Sequence, residues 1–324
     1  MKTLIKELFS NLSQTFFVGT PKHGAILVLL LAPFLPLQVG AGIIGSLISL
    51  RMARALNPNR VLYDSGLFGM NGFFFGVGLT SLFSVNAYTA LWLSLGALST
   101  AFVTLFLHRL FQHWQFPILV LPYMLCLEIV WLIRNDSPTL SALPLTQAEF
   151  ATSHLTQVFL TGLLNTFSEI FFQSNPMLGA LLLAFLALTN RRLLLSGLVG
   201  GVFANLTALM MGLPLATVAS GFYGFNGALA AIALGFGFLG VSWPKQILAS
   251  IFSVPLMAAL SRGMGSVGLL ALGIPYLLTV WIFLSTAAKQ IKPSIGKNDG
   301  FSFPWKNASQ PLPNSTFFSP NENR

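Results

Sequence analysis

Charge is what this chain has least of. Acidic and basic residues make up only 8% of its 324 positions, while apolar residues make up 54%. A soluble domain of this length needs more polar surface, since roughly a quarter of ordinary soluble residues are charged. Lipid is the solvent that such a composition fits. Cysteine is nearly absent as well. The single thiol, Cys126, sits in an apolar run, so neither an internal disulfide nor a thiolate metal site can be assembled. No Walker-type phosphate loop and no dinucleotide fingerprint occurs. His23, His108, His113 and His154 never stand four apart around a carboxylate, which excludes a helical zinc motif. Basic residues number 17 against 8 acidic ones, but they scatter over loops rather than form a patch that could follow a nucleic acid. No cofactor, metal or nucleic-acid partner is therefore expected.

Long apolar stretches are what the chain does have. They recur from about Gly24 to about Ala287, and each approaches the roughly 20 residues that a helix needs to cross a bilayer. The amino terminus carries positive charge, but its short apolar run is followed by Asn11, Ser13 and Gln14, so no removable signal peptide is expected.

The sequence also repeats itself. Gly66-Leu-Phe-Gly-Met-Asn-Gly72 aligns with Gly221-Phe-Tyr-Gly-Phe-Asn-Gly227, and the same spacing pairs Thr20-Pro21-Lys-His-Gly24 with Asn175-Pro176-Met-Leu-Gly179. Gln14-Thr-Phe-Phe17 then falls against Glu169-Ile-Phe-Phe172, and a nearly equal spacing pairs Leu121-Pro122-Tyr123 with Ile274-Pro275-Tyr276. Four anchors in one order make two copies of one unit.

Each copy reads as a short half-helix, about 8–18 and 158–172, followed by five spans. The spans of the first copy run roughly 24–36, 38–55, 66–83, 88–107 and 116–133. Those of the second run roughly 178–189, 193–211, 221–241, 246–261 and 267–286. A mid-segment Gln or Glu and a following Pro give each half-helix the look of a cavity-lining element that stops short of crossing. The expected fold is an all-α membrane protein of two inverted repeats, ten spans in total, divided at 1–154 and 155–288, with a flexible cytoplasmic tail over 289–324. Loop charge agrees with this topology. With the amino terminus inside, Arg51, Arg54, Arg60, Arg109, Arg191 and Arg192 are all cytoplasmic, and only Arg134 and Arg262 fall outside. Five spans per copy invert the second copy relative to the first.

The segments Asn175-Pro176-Met177-Leu178-Gly179 and Gly221-Phe-Tyr-Gly-Phe-Asn226, with Gly66 to Asn71 as a looser copy, resemble motifs of the urea transporter family. The likeness runs in order through about residues 8 to 287. It implies a homotrimer in membrane lipid, placed in the cell inner membrane with both termini cytoplasmic. Each subunit holds one passive pore for urea between its two halves, and nothing in it is an enzyme. By that resemblance Gln14 and Glu169 are hydrogen-bond acceptors, and Phe17, Ile170, Met70, Phe74, Phe225, Leu229 and Leu277 line a flat slot. The family has a threonine two residues before the Pro of each closing helix, where this chain has Val120 and Gly273. Their absence keeps open a second reading, the same architecture conducting ammonia, an amide or a short carboxylate.

Four polar residues stand out in apolar segments. Glu169 is expected to line the pore, because an ionisable group in an apolar half-helix is costly and Gln14 occupies the matching position. Glu128, in the apolar run 121–132, is expected to be structural. Asn71 and Asn226 are expected to tie helices together rather than bind solute.

Overall fold

The computed structural model describes residues 2–111, 116–134, 137, 139–143, 154–238 and 240–288. Among them the chain is helical, with one isolated extended bridge between Phe83 and Ala142. The expected tail at 289–324 lies outside the described residues.

The helices form two runs of seven in one order. The first run is α1 (Lys2–Ser13), α2 (Pro21–Leu31), α3 (Pro36–Leu56), α4 (Arg60–Asp64), α5 (Leu67–Leu82), α6 (Thr89–Phe111) and α7 (Leu121–Ile133). The second is α8 (Leu155–Ser168), α9 (Pro176–Thr189), α10 (Arg191–Met210), α11 (Leu215–Ala219), α12 (Gly224–Ile232), α13 (Trp243–Ser266) and α14 (Ile274–Ala288). Backbone conformation repeats too. The left-handed residues Phe17, Gly66 and Leu119 have counterparts in Phe172, Gly221 and Leu272. Four of these six are bulky side chains that cost roughly 1–3 kcal/mol each in that region, so the shared fold imposes the conformation.

Membrane-crossing length varies along the chain. Pro36–Leu56, Thr89–Phe111, Arg191–Met210, Leu215–Phe238 and Trp243–Ser266 are long and apolar enough to cross a bilayer. The pair Leu155–Phe171 and Pro176–Thr189 qualifies together but is bent by 80°. Pro21–Leu31, Leu67–Leu82, Leu121–Ile133 and Ile274–Thr286 are apolar but shorter.

Several boundaries differ from the sequence expectation. The first half-helix begins at Lys2 and runs through a single 3-10 turn, Gln14–Phe16; the second begins at Leu155 and ends in the matching turn Glu169–Phe171. Pro21 and Pro176 do not end these helices. They open the next ones, where a missing N–H costs nothing. The chain turns instead at Phe17 and Phe172, whose amides close on the carbonyls of Gln14 and Glu169, both at 2.9 Å. The closing spans are shortened as well, since residues 116–120 and 267–273 are not helical. On its far side α12 widens into a π-helix, Ala233–Phe238.

The glycine-rich helices α5 and α12 form the centre. Every residue of α5 from Phe68 to Thr80 is buried, and the Leu215–Phe238 segment is 89% buried while the other long spans are 28–44% buried. Backbone contact makes this possible. A Cβ on Gly72 would stand 2.5 Å from the Gly45 carbonyl oxygen of α3, and a Cβ on Gly200 of α10 would stand 2.5 Å from the Gly227 carbonyl oxygen. Small residues let two backbones touch, and in lipid that contact replaces the hydrophobic drive. At the amino terminus, Glu7 Oε2 accepts from Arg54 Nη2 at 2.6 Å and from the Tyr63 hydroxyl at 2.9 Å, so α1 is tied to α3 and α4. Phe16, Phe74, Phe171, Phe238 and Tyr276 belong to one continuous apolar core that joins the halves.

Gly72→Ala forces α3 and α5 apart and is expected to lower stability in detergent by about 1–3 kcal/mol. Gly40→Ala, on the same α3 with nothing within 4 Å of its Cβ, is expected to lose nothing. Thermal unfolding of the two variants measures the difference.

Candidate functional site

The site begins with helices that start inside the protein. The closing helices α7 and α14 begin at Leu121 and Ile274, and their first amides have no intrahelical acceptor. Asn71 of α5 supplies one: its Oδ1 accepts from Tyr123 N at 3.0 Å, while its Nδ2 donates to the carbonyls of Leu67 and Leu119, each at 2.9 Å. Asn226 of α12 repeats the first of these bonds, accepting from Tyr276 N at 2.9 Å. Both asparagines are fully buried, which agrees with the structural role expected of them.

Gln14 and Glu169 open the two 3-10 turns at matching positions. The Gln14 amide has no hydrogen-bond partner among the described residues and rests against Gly19 and Gly66, where an added Cβ would come within 2.8 Å and 2.6 Å of its side chain. Glu169 is held differently. Ser174 stands where the first half has Gly19, and its hydroxyl donates to Glu169 Oε2 at 3.0 Å. The second oxygen, Oε1, has no partner among the described residues and is not sealed from solvent.

Each half reaches into the other just beyond these residues. Phe17 meets Phe238 edge-on at 5.4 Å and lies under Gly237, while the ring of Phe172 lies 3.3 Å from the Cβ position of Gly78. Phe74 is stacked between Tyr123 at 5.3 Å and Phe171 of the second half at 5.8 Å. Phe73 meets Phe74 edge-on at 5.8 Å, and Phe74 is buried.

The other slot candidates sit as follows. Met70 lies one turn before Phe74 on α5, and Phe225 and Leu229 lie one turn apart on α12. Phe225 meets Phe222 within its own half at 6.3 Å. Ile170 is buried in the second 3-10 turn and Leu277 in the first turn of α14. Val120 and Gly273 each precede a closing helix by one residue, and their carbonyls are engaged by Met124 N at 3.3 Å and Leu277 N at 3.1 Å. Gly273 faces the other half: its Cβ position is 3.3 Å from Met124 Sδ.

Glu128 makes a bond between halves. Its Oε1 accepts from Leu270 N at 2.9 Å, and at the repeat-equivalent positions Trp281 Nε1 donates to the Pro117 carbonyl, also at 2.9 Å. Proline offers a carbonyl but no N–H, so the matching side chain has to be a donor there and an acceptor at Leu270. Sequence reasoning did not single out Trp281, Ser174 or the side chains of Tyr123 and Tyr276. Only the coincidence of Glu128 with Trp281 under the repeat spacing signals the first of them.

A cavity of about 380 Å³ lies elsewhere, among Asn57, Asn59, Leu62, Leu105, His108 and Arg109, and includes none of the candidate residues. Among the described residues no group of His, Cys, Asp and Glu could hold a metal ion.

Several apolar helices long enough to cross a bilayer, with one bent pair that qualifies together, define a multi-pass membrane protein. The chain matches the urea transporter family over residues 5–288 and belongs to it. It is 24% identical to sheep (Ovis aries) Urea transporter 1 over 325 positions, covering 95% of this chain and 82% of that one. Rat (Rattus norvegicus) Urea transporter 1 is 25% identical over 294 positions, covering 86% and 75%. The family is one of transporters rather than enzymes.

Glu128→Ala leaves the Leu270 amide without its acceptor and is expected to cost about 1–3 kcal/mol of stability. Glu128→Gln keeps the acceptor oxygen and is expected to stay close to wild type. Thermal unfolding in one detergent distinguishes them.

Proposed function

We propose that the chain conducts urea across the membrane passively, down its gradient, through a pore between its two halves. The family match across both halves carries this reading. Gln14 and Glu169 support it as acceptors for urea N–H groups, because both present polar atoms without protein partners in an apolar surround. A urea molecule that sheds water in an apolar passage loses roughly 1–3 kcal/mol per unreplaced hydrogen bond. Phe17, Met70, Phe74, Ile170, Phe225, Leu229 and Leu277 are the proposed walls, which admit a thin planar molecule. Val120 and Gly273 flank its midpoint.

In this reading α2, α3, α5, α6 and α7 cross the membrane, and α9, α10, α12, α13 and α14 cross it in the opposite sense. The repeats are residues 1–154 and 155–288, with α1 and α8 entering without crossing. Both termini are cytoplasmic, the membrane is a cell inner membrane, and the assembly is a homotrimer with one fixed pore per subunit. Large apolar side chains exposed on α6, among them Leu95, Phe102 and Phe106, are available to lipid or to another copy.

Stopped-flow light scattering on proteoliposomes under a urea gradient tests the reading. Wild-type protein is expected to raise urea flux well above empty liposomes. Glu169→Ala, which removes an acceptor worth about 2 kcal/mol, is expected to lower that flux about tenfold or more. Flux equal to empty liposomes overturns urea as the solute; ammonia, amides and short carboxylates in the same assay then measure the second reading.

A further inference from the structure

Two tyrosines, Tyr123 and Tyr276, stand three residues beyond Val120 and Gly273, at repeat-equivalent positions. Residues three apart on a helix share one face, and side chains lean toward the helix amino terminus, so position 123 covers the turn that carries position 120. The second half shows this contact directly: the Tyr276 ring carbon Cδ1 is 3.8 Å from the Cβ position of Gly273, beside Met124 of the first half.

Both backbones are fixed. Asn71 and Asn226 hold the backbone amides of Tyr123 and Tyr276, and Tyr123 also stacks on Phe74, with the rings 24° apart. The residues are only 7% and 3% exposed. Neither hydroxyl has a hydrogen-bond partner among the described residues, yet neither is sealed off, because the small exposed remainder includes the phenolic oxygen. A buried tyrosine normally finds a partner for its O–H, so two repeat-equivalent ones without any indicate a site that a ligand fills.

We propose that the Tyr123 and Tyr276 hydroxyls form the mid-pore binding station of this chain, accepting amide N–H groups and donating to an amide carbonyl. The proposal rests on the urea pore described above and explains how that pore dispenses with hydroxyls at positions 120 and 273. A hydroxyl is both donor and acceptor, so an amide with both kinds of group is its natural ligand class.

The test is urea flux into proteoliposomes for wild type, Tyr123→Phe, Tyr276→Phe and the double variant, with thermal unfolding measured alongside. Each single variant is expected to lose about fivefold or more in urea flux, the double variant more, with unfolding unchanged. Val120→Thr in the Tyr123→Phe background restores a hydroxyl on the same face and is expected to recover most of the flux. A threonine at position 273 is not used, because its Cβ would press on Met124 Sδ. Double-variant flux equal to an active wild type overturns the station and leaves the urea pore standing. Flux lost together with folding, and not recovered by Val120→Thr, assigns the tyrosines a packing role and likewise overturns it. A wild type no faster than empty liposomes overturns the urea pore and the station with it.

Discussion

Helices that begin or end inside lipid leave amides and carbonyls that only the protein can satisfy. This constraint shapes the centre of the molecule. Asn71 and Asn226 meet it by capping α7 and α14 from the neighbouring glycine-rich helices, and they can do so only because α5 and α12 are held against α3 and α10 at backbone contact. With the closing helices fixed in this way, positions 120, 123, 273 and 276 are fixed too. The proposed site therefore takes its geometry from hydrogen bonds within the protein.

The two halves share a backbone but not a chemistry. Gln14 lies against a glycine and keeps its amide free, whereas Glu169 is held by Ser174 at the equivalent place. Glu128 and Trp281 likewise occupy one repeat position and make opposite ends of a hydrogen bond. Once the fold is duplicated, each side chain answers to its own partner. A proline at 117 demands a donor, and a free amide at 270 demands an acceptor.

Much of this was legible in the chain. The repeat, its anchors and the apolar segments appear again as two runs of seven helices, and Gln14 and Glu169 stand at equivalent positions as the alignment required. The asparagines were recognisable because polar groups in apolar helices either tie or bind, and their repetition beside small residues favoured tying. The turn residues were not legible. Proline looked like the terminator of each half-helix, but Phe17 and Phe172 take that part, and nothing in phenylalanine's intrinsic preference predicts a left-handed backbone. The short helices α4 and α11 and the non-helical starts of the closing spans were hidden for the same reason, since hydropathy records burial and not backbone direction.

The sequence by itself determined the solvent of the protein, its duplication and the identity of its rare polar groups, because each of these is a property of composition or order. Tertiary structure decided which polar groups are spent on the protein and which remain free. Asn71 and one oxygen of Glu128 are spent on backbone atoms distant in sequence; Gln14, one oxygen of Glu169 and the hydroxyls of Tyr123 and Tyr276 have no partner among the described residues, nor does the second oxygen of Glu128. The reason is geometric: a hydrogen bond is directional and short, so its existence depends on where the other half of the chain lies.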